Sequence, residues 1–81
     1  MANNIFLETV MGLNVAEIGK EYVIQGIKTD DEELNSFLFS LGCYSGEKVT
    51  VISRRKGGCV VAFKDARYSI DKFLAEAIIV E

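Results

Sequence analysis

The stretch that most constrains this chain is residues 36–58, SFLFSLGCYSGEKVTVISRRKGG, in which a helical period gives way to a strand period across two glycines. Leu34, Phe37, Leu38 and Leu41 recur at i, i+3, i+4 and i+7, the spacing of one buried helix face. At the start of this run, Thr29 and Glu32 are spaced as a capping box, and the acidic residues 30–33 suit the positive end of a helix dipole. Gly42 falls one step past Leu41, where a helix commonly closes through a left-handed residue that glycine adopts at little cost. Ser45-Gly46 suits a turn with positive φ at its third position, after which Val49 and Val51 alternate with Lys48 and Thr50 as in a half-buried strand. Leu41, Gly42 and Gly46 therefore read as a structural hinge that folds a helix back onto the strand after it.

The flanking segments are short and strand-like. EYVIQGI, residues 21–27, is rich in β-branched and aromatic residues, with Gly26 marking a bulge or a close backbone approach. RRKGG, residues 54–58, reads as a hairpin tip, and CVVAF returns as the partner strand. RYSI and AIIV follow, separated by DKFLAE, which has length for about one helical turn. The pattern predicts a mainly β fold, a small barrel of about five short strands with one inserted α-helix. There is no proline, repeat or low-complexity tract to mark a linker, so residues 13–81 read as one domain. Residues 1–12 read as an N-terminal extension holding a short helix capped by Asn4 and closed by Gly12.

Composition narrows the function. The 81 residues are 49% hydrophobic and 26% charged, too apolar for a disordered chain. Nine Lys and Arg against twelve Asp and Glu give a net charge of -3, which disfavours nucleic acid and anionic lipid as partners. MANNIFLETVMGLN has neither the basic flank of an export signal nor the length of a membrane span, which points to the cytoplasm. Cys43 and Cys59 lie too far apart for a CxxC motif and sit in apolar segments, as small buried hydrophobes do.

With these elements in place, LNVAEIGKEYVIQGI, LFSLGCYSGEKVTVISR, the glycine hairpin, VVAFKDARYSID and AEAIIV resemble the FeoA family, ferrous iron transport protein A. The resemblance spans residues 13–80, and its most specific part is Leu41-Gly42 followed by Gly46 and a valine strand. It implies an SH3-like barrel, related to the C-terminal domains of iron-dependent repressors, that binds the cytoplasmic domain of a ferrous-iron permease and regulates or supports transport. Two positions depart from the family pattern: Ser45, where a proline is frequent, and Cys43, where an aliphatic residue is usual.

No catalytic constellation is present. A Cys or Ser nucleophile has no histidine to act as its base, and RRKGG lacks the glycine spacing and following helix of a phosphate-binding loop. A metal site would have to draw on Cys43, Cys59 or the carboxylates of Asp30, Asp31, Glu32 and Glu33, a poor set for a tight transition-metal site, and the acidic run is accounted for by the helix N-terminus. The expectation is a binding module, not an enzyme, with no cofactor and no dedicated metal. Its candidate partner-binding residues are Phe39, which lies off the apolar stripe of its helix, and Arg54, Arg55 and Lys56, the one cationic run in an acidic chain. The competing reading is a free-standing relative of the repressor barrel acting as a regulatory or ligand-sensing module.

Overall fold

The computed structural model describes residues 11–81. The chain order is β1 (Met11–Gly12), a 3-10 turn (Leu13–Val15), β2 (Glu21–Ile27), α1 (Glu32–Ser40), β3 (Lys48–Arg55), β4 (Gly58–Phe63), β5 (Ala66–Asp71), α2 (Lys72–Ala77) and β6 (Ile78–Val80). The six strands form one sheet in the order β1-β6-β2-β3-β4-β5, and every neighbouring pair is antiparallel. The sixth strand, absent from the predicted set, is β1, too short for any periodicity to announce.

Alternation places the core. Tyr22 and Ile24 of β2, Val49 and Val51 of β3, Cys59, Val61 and Phe63 of β4, and Ile78 and Val80 of β6 point to one side and are buried together with Leu13, Leu38 and Ala75. Leu13, Ile24, Leu38, Val51 and Val80 are its most deeply buried large side chains. The register of β2 against β6 shifts between Ile24 and Gly26, the bulge that Gly26 led us to expect.

The sheet curves around this core but is not closed by hydrogen bonds, since β1 and β5 remain its two edges. Instead α2 packs across the gap, touching β1, β6 and the 3-10 turn on one side and β4 and β5 on the other. The Asn4 cap expected in the N-terminal segment lies outside the described residues. Gly12 does not close a helix: its φ is -74°, not the positive value a helix-closing glycine takes, and it pairs with Ile79.

Candidate partner-binding surfaces

The hinge is built as a complete Schellman motif. Leu41 is the last near-helical residue, and Gly42 follows with φ +88°. The Gly42 N–H donates to the Phe39 carbonyl (2.9 Å) and the Cys43 N–H to the Leu38 carbonyl (2.9 Å), which satisfies carbonyls that the end of a helix leaves free. Such a motif packs the second residue after the helix against the third from its end, and here these are Cys43 and Leu38, both buried. The loop is then tied to β2: the Gly46 N–H, at φ +94°, donates to the Ile24 carbonyl (2.8 Å), and the Ile24 N–H donates to the Glu47 carbonyl (2.7 Å). Both glycine positions are thus fixed by backbone conformation.

The other end of α1 differs from the capping box expected at Thr29 and Glu32. The N-cap is Asp31, whose carboxylate accepts the amides of Glu33 (3.0 Å) and Leu34 (3.2 Å), while the Thr29 hydroxyl accepts the Asp31 amide (3.1 Å). A carboxylate makes the stronger, charge-assisted cap, so the helix starts two residues later than Thr29 would set it.

Phe39 is 64% exposed, as its place off the apolar stripe implied, and its ring rests on Tyr44 with centroids 5.1 Å apart. Phe37 was expected in the core stripe but is 52% exposed. In a nine-residue helix lying on the mouth of a small sheet, only Leu38 is fully covered, and the flanks of the stripe reach solvent. The Lys64 ammonium completes the cluster: it lies 5.3 Å from the Tyr44 ring centre and 5.9 Å from that of Phe63, and pairs with Glu47 at 3.7 Å. Lys64 and Asp65 both have positive φ, 51° and 64°, which makes the β4–β5 connection a two-residue turn of the type that matches strand twist. Tyr44 and Lys64 were not singled out from the sequence, because neither residue type nor spacing announces the turn that brings them together.

The cationic run separates into two parts. β3 continues through Arg55, so the tip proper is Lys56-Gly57. Arg54 is exposed like its neighbours, but its guanidinium folds back along the surface and donates to the carbonyls of Asn14 and Ala16. It anchors the 3-10 turn to β3, alongside a bond from the Gly19 N–H to the Val51 carbonyl (2.8 Å). Arg55 and Lys56 remain exposed. Phe39 and this tip are not brought into one cluster.

Both cysteines are free and buried. Burial pushes the Cys43 thiol up to about 11. It also raises that of Cys59, with the Arg54 guanidinium acting in the opposite direction. Among the described residues no three of the His, Cys, Asp and Glu side chains gather as metal ligands would, and no helix is long and apolar enough to cross a membrane. A cavity of about 30 Å³ between Leu38, Cys43, Phe63 and Tyr68 is lined by apolar atoms, with space for about one water.

Residues 11–81 match the family profile described as the FeoA domain. The chain belongs to the FeoA domain family. Its fold is SH3-like, as solved structures bear out. An iron uptake regulatory protein (FeoA) superposes with a TM-score of 0.79 at 22% identity, over 89% of this chain and 96% of that one. FeoA of Stenotrophomonas maltophilia, solved with zinc and described as a procaryotic SH3 domain protein suggested as a bacterial ferrous iron transport activating factor, gives 0.79 at 17% identity, over 88% and 89%. A manganese-dependent transcriptional repressor gives 0.80 at 23% identity over 88% of this chain, but this FeoA domain spans only 40% of the repressor. No curated protein matches the chain.

Proposed function

We propose that this FeoA domain is a cytoplasmic, non-catalytic interaction module that binds the cytoplasmic domain of a ferrous-iron permease and regulates or supports its transport. The observation that carries the reading is the exposed Phe39 ring, held against Tyr44 at the hinge of a FeoA-family domain. A large aromatic left in solvent on a rigid element is the usual form of an interface anchor. The description of the Stenotrophomonas maltophilia protein as a transport activating factor supports a protein partner. Arg55 and Lys56 supply a second, electrostatic contact to an acidic partner surface, while Arg54 serves by holding the 3-10 turn against β3. Ligand sensing in the manner of a repressor domain draws no support from the apolar hollow beside Leu38, Cys43, Phe63 and Tyr68, which at about 30 Å³ holds little more than a water.

The test is binding of the purified protein to an immobilised permease cytoplasmic domain. The wild type is retained, and Phe39→Ala weakens binding by about 1 to 2 kcal/mol while its melting temperature stays within about 2 °C. Equal binding by wild type and variant would remove Phe39 from the interface, and no retention of either would reject the permease reading.

A further inference from the structure

The outer face of α2 is complementary to itself. The helix buries Ala75 and Ala77 and turns Lys72, Phe73 and Glu76 to solvent. Phe73, 66% exposed, is the most exposed large hydrophobic side chain among the described residues, and nothing in the hinge or in the Phe39 surface uses it. Among the described residues its ring contact is with Lys72, whose ammonium lies 5.4 Å from the ring centre. Neither Lys72 nor Glu76 makes an ion pair with another described residue.

The two ends of this helix stand in opposite electrostatic surroundings. At its start, the Lys72 N–H donates to the Gly57 carbonyl (2.9 Å), and Lys72 borders a crevice with Arg54 and Arg55, next to Lys56 at the hairpin tip. Toward its end, Glu76 borders a groove with Asp30, Asp31, Leu34 and Lys28, and the Phe73 side chain, from the first turn, lines the same groove. The Asp71 carboxylate, which borders the hairpin tip, is turned back to cap the Leu74 N–H (2.8 Å). Lys72 and Glu76 are four residues apart, so they share one side of the helix about 6 Å from each other. The sequence from plus to minus therefore has a fixed direction along α2, with an unused aromatic beside it.

A two-fold rotation perpendicular to α2 reverses that direction. It sets Lys72 of each copy against Glu76 of the other, puts the two Phe73 rings together, and turns the Arg55 and Lys56 end of one molecule toward the Asp30 and Asp31 end of its mate. A parallel arrangement would oppose like charges. We propose that this FeoA domain pairs with a second copy of itself through an isologous, antiparallel contact of α2 on α2, with Phe73 at its centre and Lys72–Glu76 pairs on either side. The pairing does not rest on the permease reading. A six-residue helix with charged flanks buries less than the roughly 1,200 Å² of a stable interface, so the dimer is weak and concentration-dependent.

Sedimentation equilibrium of the full chain from about 10 to about 500 µM at low salt tests the pairing. The apparent mass rises toward twice that of the chain, and high salt lowers it. Phe73→Ser keeps the melting temperature but holds the mass at that of one chain. Lys72→Glu and Glu76→Lys each weaken self-association by about tenfold, because both contacts then oppose like charges. An equimolar mixture of those two variants associates again, since in the mixed pair both contacts join opposite charges. A single-chain mass at every concentration, a dimer indifferent to Phe73→Ser, or a mixture no tighter than its components would each overturn the proposal.

Discussion

Gly42 and Cys43 carry the hinge by different physics. At Gly42 the constraint is conformational: φ is +88°, and a Cβ there would stand 2.8 Å from the Lys64 ammonium nitrogen and 3.0 Å from its Cε. A lysine tail can swing aside, though doing so gives up its contacts with Tyr44 and Glu47, so backbone strain sets the minimum cost. Gly42→Ala is expected to lose about 1 kcal/mol or more of stability, read as a lower urea midpoint at unchanged m-value. An unmoved midpoint would mean that the helix closes without the left-handed residue. At Cys43 the constraint is burial. Its thiol stays protonated in the folded protein up to about 11 but ionises near pH 8.5 once unfolded. A folded-state value raised above the unfolded one contributes stability that is fully present below about pH 8.5 and is lost as pH climbs toward about 11, because only the unfolded chain has then released the proton. Wild type should therefore lose on the order of 3 kcal/mol relative to Cys43→Ala across that window. Parallel pH profiles for the two proteins would show that the thiol is not the titrating group.

At the scale of elements, local pattern and long-range contact divide what could be read in advance from what could not. The strand over 21–27, the glycine that ends α1, the bulge at Gly26 and the buried cysteines were legible, since each depends on residues within one element or on burial of an apolar run. The choice of Asp31 over Thr29 as cap turned on which of two nearby side-chain oxygens takes the first free amides of the helix: Asp31 accepts those of Glu33 and Leu34, while Thr29 accepts only that of Asp31, a ranking that spacing alone does not give. Phe37 defied its helical period because only a narrow strip of α1 meets the sheet. Arg54 was the least legible, for its partners lie 40 and 38 residues upstream and no local signal connects them. Its exposed neighbours share its charge but not its work. Arg54→Met, which keeps much of the side-chain volume, should cost about 1 to 2 kcal/mol, since two carbonyls lose a charged donor. Amide exchange should quicken at Gly19 and in the flanking 3-10 turn before it does in β4. Uniform exchange across the sheet would instead assign Arg54 to the surface alone.

Over the whole molecule, charge is sorted. Residues 29–47 hold Asp30, Asp31, Glu32, Glu33 and Glu47 without a single Lys or Arg, whereas Arg54, Arg55, Lys56 and Lys72 gather around the β3–β4 hairpin. A chain of net charge -3 is repelled by an acidic protein through its total charge, so attraction to the acidic partner surface proposed above must come from this one region. Such a local field steers the approach of a partner, fades within the Debye length of roughly 10 Å at 0.1 M salt, and matters little once the partners are in contact. An aromatic anchor does the reverse, acting after contact by resisting separation. Replacing Arg55 and Lys56 with Gln, at low micromolar concentration where weak self-association does not intervene, should therefore slow binding to the permease domain several-fold at about 0.02 M salt and hardly at all at about 0.5 M. The dissociation rate should stay the same, while Phe39→Ala should raise it at both salt concentrations. Stopped-flow or surface-capture kinetics separate these effects. Should the Gln variant dissociate faster with its association rate unchanged, the tip is a direct contact rather than a steering charge. Should neither rate respond, the partner meets another face.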